Sequence, residues 1–200
     1  MSVDVKLDLM HLEQFIRDCK TADKMRVKVG VRADAVYENG MPVSQIAKYL
    51  EYGWEQTVSE RQSRWLMSQG VYNVKEGSTL RMPARPTFQS TFSAKSADWY
   101  DIGAYYLQGL SINPLNKITQ ALKAVGQAAQ QDIVDCINSG GSSNGNSSFE
   151  LRHPLTLILY GNQASAGKKK IKGHNQTTTM KPLHKTGAFA RSIAYEITND

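Results

Sequence analysis

Apolar residues recur along the chain with two periods, and the changes of period mark the elements. Val3, Val5, Leu7 and Leu9 alternate with polar residues, the two-residue repeat of a short strand. From Leu12 the spacing lengthens. Leu12, Phe15, Ile16 and Cys19 share one helical face and predict a helix of about ten residues. Val27, Val29 and Val31 then alternate with Lys28 and Gly30, which predicts a half-buried strand from Arg26 to Arg32. Asn39-Gly40 signals a turn, and Pro42 suits the first turn of a helix. The face of that helix is Val43, Ile46, Ala47, Leu50 and Trp54, and Gly53 can end it. Residues 55–70 are polar and read as a flexible loop. Residues 71–82 read as a hairpin turning near Glu76-Gly77, with Val71, Tyr72, Val74, Leu80 and Met82 as strand residues.

A helical region follows Pro83 and Pro86. Trp99, Ile102, Tyr106 and Leu110 share a face, and Asn113-Pro114 interrupts it. Leu115, Ile118, Leu122, Val125, Ala129, Ile133 and Ile137 then form the cleanest stripe in the chain, a helix over 114–138 stopped at Gly140. Residues 139–148 are Ser, Gly and Asn and read as a flexible loop, as do residues 161–180. Ile193, Tyr195 and Ile197 alternate as a last strand. The order predicts one α+β domain over 1–200: a small, mostly antiparallel sheet packed by long amphipathic helices, with extended loops.

Composition narrows the class without changing this outline. The chain has 200 residues, of which 40% are hydrophobic. A chain of this size buries about 70% of its unfolded surface, enough for one core. Disordered, collagen-like and disulfide-scaffold classes are excluded. The most apolar run, Leu155 to Tyr160, is far below the roughly 20 residues of a spanning helix, so no membrane partner is expected. The N-terminus lacks the continuous apolar segment of a secretory signal. Cys19 and Cys136 read as reduced thiols.

Charge is distributed unevenly. Residues 1–150 carry 16 basic and 16 acidic side chains, whereas residues 151–200 carry 8 and 2. The excess centres on Lys168, Lys169, Lys170 and Lys172, among Gly161, Gly167 and Gly173. Such a segment reads either as a solvated loop or as a basic arm drawn to an anionic partner.

Catalytic signatures are missing. There is no Gly-x-Ser-x-Gly, no phosphate loop ending in Gly-Lys-Ser/Thr and no Gly-x-Gly-x-x-Gly. His153, His174 and His184 lie 21 and 10 residues apart, without the close pair of a zinc site. Cys136, beside the apolar stripe, reads as a packed thiol. The sequence asks for no enzyme activity, metal or cofactor. Zinc-finger and RNA-recognition patterns are also missing, which leaves sequence-independent phosphate contact as the mode of nucleic-acid binding. Trp54, Trp65, Trp99, Tyr100, Tyr105 and Tyr106 are a generous aromatic supply for a polar chain and point to an oligomer.

Two segments carry a resemblance. One runs from Ile46-Ala47-Lys48-Tyr49-Leu50-Glu51-Tyr52-Gly53 to Met82-Pro83-Ala84-Arg85-Pro86-Thr87-Phe88. The other runs from His153-Pro154-Leu155-Thr156 to Lys181-Pro182-Leu183-His184-Lys185-Thr186-Gly187-Ala188-Phe189-Ala190-Arg191-Ser192-Ile193. In this order, over residues 27–197, the chain resembles the tail-completion or minor tail-component (virion morphogenesis, neck) proteins of tailed bacteriophages. Thr87 separates Pro86 from Phe88, Phe189 stands where the family usually has Leu, and the insertion at 55–80 is long.

The resemblance implies a non-enzymatic virion subunit, assembled in the host cytoplasm into the neck or tail. It would join the tail tube to the head connector as a homo-oligomeric ring. Its partners would be connector, tail-tube and tail-terminator proteins. It also implies folding or assembly roles for Gly53, Pro83, Arg85, Pro86, Phe88, Pro154, Leu155, Pro182, Leu183, Thr186, Gly187, Ser192 and Ile193. Pro83 and Pro86 fix φ before the helix. Arg85 is placed to pair with a carboxylate or a backbone carbonyl. Thr186-Gly187 makes a turn, after which Leu183, Phe189 and Ile193 meet the core. The alternative is a DNA-binding accessory protein that uses Lys168 to Lys172 without reading sequence.

Overall fold

The computed structural model describes residues 9–110, 113–141, 149–150, 155–156, 158–159 and 187–199. Along the chain these form α1 (Leu9–Asp23), β1 (Met25–Val31), α2 (Val43–Tyr52), β2 (Trp54–Thr57), α3 (Glu60–Ser68) and β3 (Thr79–Met82). Then follow α4 (Thr87–Tyr106), α5 (Pro114–Ser139), α6 (Ala188–Arg191) and β4 (Ile193–Asn199). The fold is α+β. Its strands form two two-stranded sheets, β1 with β4 and β2 with β3. The second is antiparallel, with Trp54 opposite Met82 and Thr57 opposite Thr79.

The chain divides into two compact units. The first comprises residues 1–30, 95–132 and 194–200. Here α5 lies close to the strands at Gly126. A Cβ on Gly126 would stand 2.5 Å from Cδ2 of Tyr195 and 2.9 Å from Cγ2 of Val27, so only glycine admits this approach. Ala22, Ala121 and Ala129 are buried in the same unit. The indole Nε1 of Trp99 donates to Oδ2 of Asp132 at 2.7 Å, tying α4 to α5. Lys95 pairs with Asp98 at 3.0 Å. That hydrogen bond, helped by Asp132, raises the Lys95 ammonium above its ordinary value.

The second unit comprises residues 31–94 and 133–193. Val43, Ala47 and Leu50 of α2 are buried, as are Ile133, Cys136 and Ile137 of α5, Thr87 and Thr91 of α4, and Phe189. A separate cluster of Val58, Leu66 and Val71 takes in Val74, Leu80, Leu155 and Leu159.

The expected β1, α2, α5 and β4 are all present, and Gly140 takes a φ of 78° directly after α5. Four expectations are corrected. Residues 55–70 are not a flexible loop: they hold most of β2 and the whole of α3. Ser59 and Gln62 form a capping box that starts α3, and Leu66 buries its apolar side. Residues 71–82 are not a hairpin. Only Thr79–Met82 is a strand, and its partner is β2. Val71 and Val74 serve the apolar cluster instead, and the turn at Gly77 lets Gly77 N donate to Val58 O at 2.9 Å. Trp54 opens β2 rather than continuing α2, and its Nε1 donates to Met82 Sδ at 3.1 Å. Leu9 is already helical, so α1 has 15 residues rather than ten. The rest of the expected first strand, residues 142–148 of one expected loop and all of the loop at 161–180 lie outside the described residues.

Candidate functional site

The motif residues meet in the second unit, where α2 ends and α4 begins. Helix α2 needs a residue after Tyr52 that leaves the helical path, and Gly53 does so at φ 71°, ψ 176°. The segment from β3 to α4 crosses directly over this point. A Cβ on Gly53 would lie 2.8 Å from the Met82 carbonyl oxygen and 2.9 Å from the Ala84 nitrogen.

The two helix ends satisfy one another. Arg85 N donates to the Leu50 carbonyl at 2.6 Å, filling an acceptor that the end of α2 leaves open. In return, Glu51 reaches the first turn of α4. Its Oε2 accepts from Phe88 N at 3.1 Å and its Oε1 from Gln89 N at 2.9 Å. A carboxylate at a helix N-terminus meets both free N–H groups and the positive end of the dipole. Glu51→Gln keeps the shape and removes the charge. It is expected to cost about 1 kcal/mol in urea unfolding, at unchanged slope.

Arg85 is 8% exposed. Its Nε and Nη2 fork onto the Glu150 carbonyl at 3.3 and 3.2 Å. Of the two partner types expected for Arg85, this is the backbone carbonyl. The Arg85 carbonyl in turn accepts from Thr87 N at 2.7 Å and Thr87 Oγ1 at 3.2 Å, which fixes the step past Pro86 into α4. The Phe88 ring meets Phe189 edge-on, with centroids 6.3 Å apart.

Phe189 belongs to α6, which contacts α2. Gly187 opens α6 in the left-handed conformation, φ 66°. Ser192 closes it, donating from Oγ to Phe189 O at 2.6 Å. The Ser192 carbonyl accepts from Arg32 N at 2.9 Å, and Ile193 is buried beside it at the start of β4. Leu155 packs on the Val58, Leu66 and Val71 cluster. Thus Gly53, Arg85, Phe88, Gly187, Ser192 and Ile193 all serve helix ends, strand starts or their packing. Pro83 and Pro86 flank Arg85 in the same crossing segment. Pro154, Pro182, Leu183 and Thr186 lie outside the described residues, as do Lys168, Lys169, Lys170 and Lys172.

Glu51 is the residue that sequence reasoning passed over. It stands in Glu51-Tyr52-Gly53 at the end of the first motif segment, but its donors lie 37 and 38 positions away, and no local spacing announces that reach. Among the described residues no three His, Cys, Asp or Glu side chains gather as a metal could require. Nor is any described helix long and apolar enough to cross a membrane. Cys136 is fully buried, with Ser90 Oγ 3.9 Å from its sulfur. The chemistry of the arrangement is mechanical: donors and acceptors of three chain segments are matched to one another. No protein-family model, curated protein or solved structure matches this chain.

Proposed function

We propose that this chain is a structural subunit of a tailed-bacteriophage virion. It acts in the neck or tail completion, joining the tail tube to the head connector as one copy in a ring. The reading starts from the ordered motifs that resemble that family. One observation carries it. The two motif segments, about a hundred residues apart in sequence, are parts of a single joint, in which Phe88 packs on Phe189 and α6 contacts α2. Such a joint gives a subunit a fixed frame, and repeated contacts between identical frames close a ring. The lysines at 168–172 are then the candidate contact for DNA passing through the ring or for an acidic neighbour.

A second reading rests on the charge distribution: a free accessory protein that holds DNA through those lysines without reading sequence. Light scattering of the purified protein at low and high concentration separates the two. A closed assembly of about six or more copies, seen as rings by negative-stain microscopy, supports the neck subunit. A monomer at both concentrations favours the accessory protein. That reading further requires a DNA affinity that falls steeply with salt and disappears when the four lysines become Gln.

A further inference from the structure

Helix α3 buries Ser63 and Leu66. At 100° per residue the opposite side of the helix carries Arg61, Arg64, Trp65 and Ser68. Trp65, on the flank of that side next to Arg61, is 49% exposed. Arg64 bonds Glu60 within the helix, whereas Arg61 has no ion-pair partner among the described residues. In the C-terminal half of α4 the inward side holds Trp99, Ile102 and Gly103. The outward side carries Ala97, Asp101 and Ala104, with Tyr100 and Tyr105 on its two flanks and Asp98, paired with Lys95, at its edge. Tyr100 is 75% exposed and Tyr105 68%. Asp101, too, has no ion-pair partner among the described residues. One face therefore presents the Arg61 charge beside an open tryptophan, and the other presents the Asp101 charge between two open tyrosines.

We infer that these two faces bind each other between copies: the Arg61–Trp65 face of α3 on one chain docks on the Asp101–Tyr105 face of α4 on the next. The inference rests on the ring reading above and names its contact. Three arguments choose a second copy as the occupant. The charges left over are complementary, Arg61 against Asp101, since Arg64 and Asp98 are already paired with Glu60 and Lys95 in their own helices. Like faces repel, so α3 does not pair with α3, nor α4 with α4. Trp, Tyr and Arg are the side chains that most often dominate binding energy, while the charges set partner choice and register. A contact of this kind is heterologous. It leaves an unused face at each end of a pair, so copies add until the ring closes.

The test uses two full-length variants whose changed residues are all exposed. One carries Arg61→Glu and Trp65→Ala and keeps the α4 face. The other carries Tyr100→Ala, Asp101→Ala and Tyr105→Ala and keeps the α3 face. Far-UV circular dichroism and the thermal midpoint should match the wild type. Each variant alone is expected to be a monomer by light scattering where the wild type assembles. An equal mixture should stop at two copies, because one intact α3 face meets one intact α4 face and growth ends. Arg61→Lys with Trp65→Phe, which keeps the charge and a ring, should still assemble. Wild-type-like assembly of either alanine variant overturns this contact and leaves the ring standing. A mixture that stays monomeric also overturns it. A wild-type chain that is monomeric at every concentration overturns the ring and the contact together.

Discussion

Gly53→Ala is expected to destabilise the protein by about 3 kcal/mol or more, a large part of a domain's whole margin. Two effects combine. At φ 71° and ψ 176° the backbone of Gly53 sits where residues with a Cβ are almost never found. The added methyl also has nowhere to go, because its nearest neighbours are the Met82 carbonyl oxygen at 2.8 Å and the Ala84 nitrogen at 2.9 Å. Both are backbone atoms, so relief requires moving the segment that places Arg85 and starts α4. Gly77→Ala tests a positive φ without the crowding. Gly77 has a φ of 79°, but nothing lies within 4 Å of its Cβ position. That change should cost about 1 kcal/mol, the backbone share alone. Urea unfolding of both variants at unchanged slope measures the difference. Equal losses would show that the crossing segment yields to the methyl.

How much of this could be read beforehand depended on where the deciding partners lay. β1, β4 and α5 announce themselves because each buries one face, so their own periods carry the signal: Val27, Val29 and Val31 for β1, and the stripe from Leu115 to Ile137 for α5. Residues 54–82 hid for the opposite reason. β2 is four residues long, Trp-Glu-Gln-Thr, too short to display an alternation. α3 has a mean composition so polar that only its Ser59–Gln62 box betrays it. The Glu76-Gly77 turn invited a local hairpin, but the turn serves a longer-range pairing in which Leu80 faces Gln56.

The joint was half legible in the same way. Gly53, Arg85 and Phe88 stood out as motif residues. What they do is set by partners far along the chain: Met82 and Ala84, Glu150, and Phe189. The aromatic supply was legible only as a total. The structure sorts it, putting Trp54 on Met82 and Trp99 on Asp132 while leaving Trp65, Tyr100 and Tyr105 at the surface.

Arg85→Ala is expected to cost about 3 kcal/mol, because a buried, charge-assisted pair of hydrogen bonds is lost and its acceptor is left behind. The guanidinium forks onto one carbonyl, that of Glu150, at 3.3 and 3.2 Å. Without it, that carbonyl must find water or stay unsatisfied, and a cavity opens beside the crossing segment. Arg85→Lys restores the charge but not the fork, so it should recover less than half of the loss. Glu150→Ala should change stability by no more than about 0.5 kcal/mol, since the contact uses the backbone and the Glu150 side chain is exposed. The three variants together distinguish a clasp on the main chain from a conventional ion pair, which would make Glu150→Ala as damaging as Arg85→Ala. The clasp also joins two parts of the second unit, the end of α2 and the chain after α5. Arg85 N holds the end of α2 while its side chain holds the chain at Glu150. Loss of the guanidinium should therefore speed amide hydrogen exchange at Phe149, whose N–H is bonded to Gly140 O at 2.9 Å, before it affects α2. Equal acceleration at both places would mean that Arg85 supports the whole unit rather than this one strand of chain.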